Sequence, residues 1–187
     1  MKRKMRIGIL ALQGAFEEHK QMLDRLGVDS FLIRNLNDWQ QPFDGLILPG
    51  GESTAMMKVM SDESLFEPIQ ESIRNGLPVF GTCAGMILLD DKHLGCMDIT
   101  VKRNAYGRQL GSFQTLHNIK GIGEVPMVFI RAPYVERVGS KVEVLSTLDN
   151  HVVAVQQDNM LACSFHPELT EKTNVHRYWL NIINGKH

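Results

Sequence analysis

Through its first half the chain alternates short apolar runs with segments of helical periodicity. Ile7 to Leu12 is continuously apolar, as a strand buried on both faces must be. Gln13-Gly14-Ala15 makes a turn. From Phe16 to Leu26, Phe16, His19, Leu23 and Leu26 recur at helical spacing with charges between them, and Gly27 closes the helix. Ser30 to Arg34 reads as a second strand, Asn35 to Phe43 as a polar loop containing Pro42, and Asp44 to Leu48 as a third strand that stops at Pro49-Gly50-Gly51. A helix opens at Glu52-Ser53-Thr54 and runs to about Met60. A further helix covers Pro68 to Asn75, with Pro68 in its first turn and Gly76 beyond its end. Pro78-Val79-Phe80 is the fourth strand. This alternation predicts an α/β fold: a mostly parallel central sheet with right-handed crossovers and helices on both faces.

The second half changes character. Ile99 to Val101, Ser112 to Leu116, Met127 to Ile130, Val142 to Leu148, Val152 to Gln156 and Leu161 to Phe165 are short and β-rich, separated by turns such as Val138-Gly139-Ser140 and Asp149-Asn150. They are expected as added antiparallel or mixed strands on one edge of the sheet. Asn174 to Ile183 reads as a closing helix. With no repeat and no long linker, residues 1–187 are expected to form a single domain.

Composition narrows the function. A formal net charge of −1 supplies no field to recruit nucleic acid or an anionic membrane, so neither is expected as a partner. Lys2-Arg3-Lys4 precedes an apolar run too short for a signal sequence, and nothing approaches a membrane span. Three widely spaced cysteines, Cys83, Cys96 and Cys163, favour a reducing cytoplasm over a disulfide framework or a zinc site. No cofactor or metal is expected.

Three loops carry unusual residues, and each follows a strand, so they should meet at the carboxyl edge of the sheet. In Gly81-Thr82-Cys83-Ala84-Gly85 a glycine stands two places either side of a cysteine, between a β-prone run and an apolar helix. This is the spacing of a nucleophile elbow, whose sharp turn leaves no room for flanking side chains and sets the thiol at a helix N-terminus. The plain alternative is a packing cysteine in a crossover. In Ser164-Phe165-His166-Pro167-Glu168, a histidine suited to proton transfer is followed by a carboxylate that can return to fix its tautomer. A histidine before proline is by itself more often structural; its pairing with the cysteine elbow suggests Cys-His-Glu chemistry. In Pro49-Gly50-Gly51-Glu52-Ser53, two glycines let backbone N–H groups approach an oxyanion, unless the loop is only a turn before a helix capped by Ser53. The remaining histidines lack such settings: His19 falls on the first helix, His93 and His117 in polar loops, and His151, His176 and His187 are expected to be exposed. Cys96 and Cys163 read as small packing residues.

GTCAG, with PGGES before it and SFHPEL after it, resembles the class I (triad) glutamine amidotransferases. Leu10 to Ala15 (LALQGA), Arg103-Asn104 with Gly107-Arg108-Gln109, and Phe129 to Pro133 (FIRAP) narrow the resemblance to the glutaminase subunit of the two-component pyridoxal 5′-phosphate synthase. The resemblance implies that Cys83 attacks the side-chain amide of L-glutamine, that His166 is base and then acid, and that Glu168 orients it. It implies glutamine binding by Gly50, Gly51, Glu52, Arg103, Ile130 and Arg131. The oxyanion would be met by N–H groups of Gly51 and Ala84. It further implies, as partner in a hetero-oligomer, a barrel-fold synthase subunit that receives the ammonia. The glutaminase on its own would be weakly active until that partner orders the Gly50-Gly51 loop.

Two departures from the family pattern lie where a partner could dock: the short Asp90-Asp91-Lys92, and Gly111, where an acidic residue is more usual. Two alternatives stay open, a glutaminase feeding a different ammonia acceptor and a catalytically silent regulatory subunit.

Overall fold

The structure, a computed structural model, describes residues 4–106 and 112–185. Gly107-Arg108-Gln109 and Gly111 therefore lie outside the described residues. Among those described, a nine-stranded sheet runs in the order β2 (Asp29–Ile33), β1 (Arg6–Leu10), β3 (Gly45–Leu48), β4 (Val79–Thr82), β11 (Met160–Cys163), β10 (His151–Gln157), β8 (Ala132–Val138), β5 (Ile99–Tyr106), with β9 (Glu143–Leu148) also paired to β10. From β2 to β11 neighbours are parallel; β10, β8, β5 and β9 pair antiparallel. A separate hairpin joins β6 (Ser112–Ile119) to β7 (Gly123–Ile130).

Successive strand residues alternate between two apolar cores, as the period of two requires. Leu10, Leu46, Leu48, Val79 and Ala162 face α3 (Ser53–Asp62), α4 (Phe66–Arg74) and α5 (Ala84–Leu89) through Met56, Met60, Ile69, Ile73 and Met86. Ile7, Ile9, Ile47, Phe80 and Leu161 face α1 (Phe16–Arg25) and α6 (Asn174–Ile183) through Leu23, Val175, Trp179 and Ile182. The expected parallel sheet with helices on both faces is thus observed.

Four details differ from the sequence expectation. The end of the β-rich half, β11, is not an edge strand: it lies between β4 and β10, and each of its four residues is buried. Its unbroken apolar run is what burial on both faces demands. Residues 35–43 contain a short helix, α2 (Leu36–Trp39), because the Asn35 side chain accepts the Asp38 N–H at 2.9 Å and caps it. Strand β8 holds Pro133, which lacks an N–H; β8 joins β10 at the single pair Val152–Val135. α3 is capped not by Ser53 but by Glu52, whose carboxylate accepts the Ala55 N–H at 2.6 Å. No helix among the described residues is long and apolar enough to cross a membrane.

Candidate active site

The pairing of β4 with β11 brings the two halves of the site together. The strands run parallel with Thr82 beside Cys163, and the Cys83 N–H continues the ladder by donating to the Cys163 carbonyl at 2.8 Å. Both chains therefore leave the sheet at the same edge. Cys83 turns at once into α5, with φ 52° and ψ −107°. Such left-handed backbone on a non-glycine residue typically costs about 1–3 kcal/mol and persists only where surroundings enforce it. The flanking glycines are part of that enforcement. A Cβ on Gly81 would lie 2.6 Å from the Gly85 carbonyl oxygen, and one on Gly85 would lie 2.7 Å from the Leu48 carbonyl carbon.

On the second chain segment, Ser164 N–H donates to the Val153 carbonyl and His166 N–H to the Val128 carbonyl, at 2.8 and 2.9 Å. These bonds fix the path before Pro167 starts a 3₁₀ turn, Pro167–Leu169. His166 Nδ1 meets Glu168 Oε2 at 2.7 Å, and the Cys83 side chain acts on the same ring. All three residues are buried, at 6%, 6% and 4% exposure for Cys83, His166 and Glu168, so the dyad and the sulfur interact through a poorly screened medium. Burial pushes the imidazole toward neutrality. The Cys83 side chain, the bond to Glu168 and the charges of both outweigh it and raise the His166 pKa from 6.5 to about 10. At neutral pH the ring carries a proton that it can deliver.

A cavity of about 710 Å³ opens over the sulfur. It is lined by Gly50, Gly51, Glu52, Cys83, Ala84, Arg103, Ile130, Arg131 and His166; Glu168 sits behind His166 rather than in the lining. Gly50 is packed so closely that a Cβ there would stand 2.8 Å from His166 Nδ1 and 3.3 Å from Cys83 Cβ. Ala84 is the first residue of α5, ahead of the intrahelical bonds that Met86 and Ile87 make to the Cys83 carbonyl. Its N–H is one of the helix's unshared donors. The Ile130 carbonyl faces the sulfur at 4.0 Å, and Arg131 follows in left-handed backbone at φ 44°. On the open rim, Arg103 Nη2 bonds Glu52 Oε1 and Thr54 Oγ1, both at 3.2 Å. The Ala55 N–H bond, with smaller help from Thr54 and Arg103, lowers the Glu52 pKa against slight desolvation.

Some residues escaped the sequence reading. Gln13, at the end of the first strand's loop, accepts the Glu52 N–H through Oε1 at 2.6 Å, and the neighbouring Ala15 N–H donates to the Gly50 carbonyl at 2.9 Å. Its place past the carboxyl end of β1 was the available signal. His176, expected exposed, is fully buried and lies 2.8 Å from His19, itself fully buried. His151 is half-buried against Tyr134, and His117 lies in β6 rather than a loop. His187 lies outside the described residues. Cys163 is buried as a packing residue. Among the described residues no cluster of His, Cys, Asp and Glu could hold a metal ion.

Comparisons with known proteins place the chain in a family. Residues 9–184 match the SNO glutamine amidotransferase family. The chain is 55% identical over 192 residues to the pyridoxal 5′-phosphate synthase subunit PdxT of Streptococcus pneumoniae (strain CGSP14), covering 97% of this chain and 99% of that one. A crystal structure of a glutamine amidotransferase superposes with a TM-score of 0.89 at 41% identity, over 95% of this chain and 98% of the other. The structure of PurLQS from Thermotoga maritima shares the fold alone, with a TM-score of 0.70 at 16% identity, covering 96% of this chain and 99% of that one.

Proposed function

Because the chain belongs to the SNO glutamine amidotransferase family, we propose that Cys83, His166 and Glu168 form the triad with which it releases ammonia from glutamine. The protein is the glutaminase subunit of pyridoxal 5′-phosphate synthase and serves vitamin B6 biosynthesis. What supports the triad most is one observation: a sulfur and a carboxylate-paired imidazole, carried past the ends of two neighbouring strands, line one open cavity together.

His166 holds the proton of the Cys83 thiol as its base; the sulfur attacks the amide carbon of glutamine, and the C=O electron pair moves onto oxygen. The N–H groups of Ala84 and Gly51 receive that oxyanion. His166 protonates the departing nitrogen, the C–N bond breaks, ammonia leaves, and a γ-glutamyl thioester remains. His166, now neutral, takes a proton from water as the water attacks the thioester. The C–S bond breaks, glutamate leaves and the thiolate is restored. Glu168 holds the imidazole by Nδ1 throughout, so that Nε2 faces the reacting atoms.

Glutamine's α-carboxylate and α-ammonium need opposite partners. Arg103 and Arg131 supply cations, while the Ile130 carbonyl and the Glu52 carboxylate supply acceptors. The Gly50-Gly51 backbone closes over the amide. One domain carries this site and works in the cytoplasm, a reading that the three free thiols support. The ammonia passes to a barrel-fold synthase subunit in a hetero-oligomer. The deciding experiment measures ammonia release from glutamine with and without that subunit. Strong stimulation by it is expected. Equal, full activity of the isolated chain would overturn the dependence on a partner, and no release in either arm would overturn the glutaminase site.

A further inference from the structure

A second set of polar groups lies buried directly behind the triad. Glu168 uses Oε2 for His166, while its Oε1 is sealed from solvent and has no hydrogen bond. A buried carboxylate with one bare oxygen is costly in its ionised form, the form that an imidazolium partner needs. Facing that oxygen at 3.7 Å is Nε2 of His19, from α1. The same nitrogen lies 3.1 Å from Thr82 Oγ1, on the residue immediately before the nucleophile. His19 Nδ1 in turn lies 2.8 Å from His176 Nε2, on α6, and His176 Nδ1 is buried without a partner.

The proton positions follow from these contacts. Burial, then His176 and then His166, push the His19 pKa well below its ordinary value. Burial and Arg25 lower that of His176 to about 3. Both rings are therefore neutral at physiological pH and carry one N–H each. Were the His176 proton on Nδ1, it would be an orphaned buried donor. His19 would then hold its proton on Nδ1 and turn a lone pair toward Oε1 of Glu168. With the His176 proton on Nε2, both penalties vanish: His176 donates to His19 Nδ1, and His19 Nε2–H points at Thr82 and the bare carboxylate oxygen. Only a lone pair on His176 Nδ1 stays unshared, the cheaper loss.

We propose that His19 and His176 are positioning residues of the glutaminase triad: His176 fixes the tautomer of His19, and the His19 Nε2–H steadies Glu168 as a carboxylate from behind. The inference rests on the triad reading given above. At 3.7 Å the contact with Glu168 is one of charge and dipole rather than a full hydrogen bond, but with both side chains fully buried it is little screened. The titratable groups coupled to Glu168 and the two rings are His166 and Cys163 at the strand ends and Arg25 on α1, while Cys83 acts on His166 and Cys163. Among the described residues, His166 and His19 are the two that pair with the Glu168 carboxylate.

The test is the pH profile of glutaminase kcat/KM with the synthase subunit present, for the parent, His19→Leu, His19→Gln and His176→Leu. Losing the donor disfavours the ionised carboxylate, so His19→Leu is expected to move the acid limb up by about one pH unit and lower kcat about tenfold, with KM unchanged. His19→Gln, whose amide N–H reaches the place of Nε2, restores the parent's limb, and His176→Leu falls between. An unmoved limb in His19→Leu overturns the proposal, as does a Gln variant no better than Leu. Should the Leu variants not fold, nitrogen NMR of the unaltered protein decides: a proton on Nε2 of His19 supports the proposal, one on Nδ1 overturns it. Cys83→Ala in the same assay separates the two readings. Ammonia release by that variant would remove the triad itself, whereas a silent Cys83→Ala with parent-like His19 variants would remove only this inference.

Discussion

Cys83 and Arg103 line one cavity and are held in opposite ways. The thiol is 6% exposed, on backbone wedged between Gly81, Gly85 and Leu48, and it continues the ladder of a buried strand. The guanidinium is held in solvent by two bonds of 3.2 Å to Glu52 and Thr54. An exposed, solvent-screened ion pair of that kind adds little to stability, so it can exchange its partner for a ligand at little cost. On the proposed reading, the reacting atoms are positioned by the fold itself, and the groups proposed to recognise glutamine by side chains free to rearrange. Damage to the first region should appear in kcat or in folding, and damage to the second in KM.

The largest effect is expected from Cys83→Ala. Ammonia release should fall by about 10⁴-fold or more, because the thiol is a reactant, while the melting temperature stays near the parent's. Release at the parent rate would end the contrast outright. Next comes His166→Ala, with a loss of about 10³-fold, against about 10²-fold for Glu168→Gln, since an orienting group is more replaceable than a base. Equal losses in the two variants would count against these roles. Gly50→Ala should cost about 10²-fold in kcat, because its Cβ would lie 2.8 Å from His166 Nδ1 and displace the ring. Gly85→Ala, whose Cβ meets Leu48 backbone rather than a movable side chain, should instead lower the melting temperature, by about 1–3 kcal/mol of stability. Arg103→Ala should raise KM about tenfold and leave kcat and thermal stability unchanged. A fall in kcat alone would mean that the rim is part of the reacting centre.

Stability itself should depend on pH, with two opposed limbs. Between pH 6.5 and about 3 an unfolded histidine takes up a proton that folded His176 refuses, so acid should destabilise the fold. Between pH 6.5 and about 10 folded His166 keeps a proton that the unfolded chain has released, so alkali should also destabilise it. Thermal melts across pH should peak near 6.5, and His166→Ala should flatten only the alkaline side.

The two regions also differed in how far they could be read from the chain. Strands β1 to β4, helices α1, α3 and α4 and the elbow at Cys83 follow from local patterns: unbroken apolar runs, helical spacing, and glycines two places from a cysteine. The β-rich half was legible as strands but not as a sheet, since antiparallel order depends on partners distant in the chain, and Pro133 concealed β8. His176 was misjudged although it shares a helical face with Leu180. A histidine suits water or a buried partner equally well, and the partner here is His19, 157 residues away.

The residue types of the site, and the strand ends that carry them, were already settled in the linear chain, because elbow, proline-fixed histidine and glycine pair are local demands of backbone geometry. It took the folded molecule to establish that β11 lies beside β4, which sets His166 over Cys83, and that two neutral histidines close in behind Glu168. Strand neighbours and buried polar pairs are chosen by the burial of the whole chain, and no short stretch contains that information.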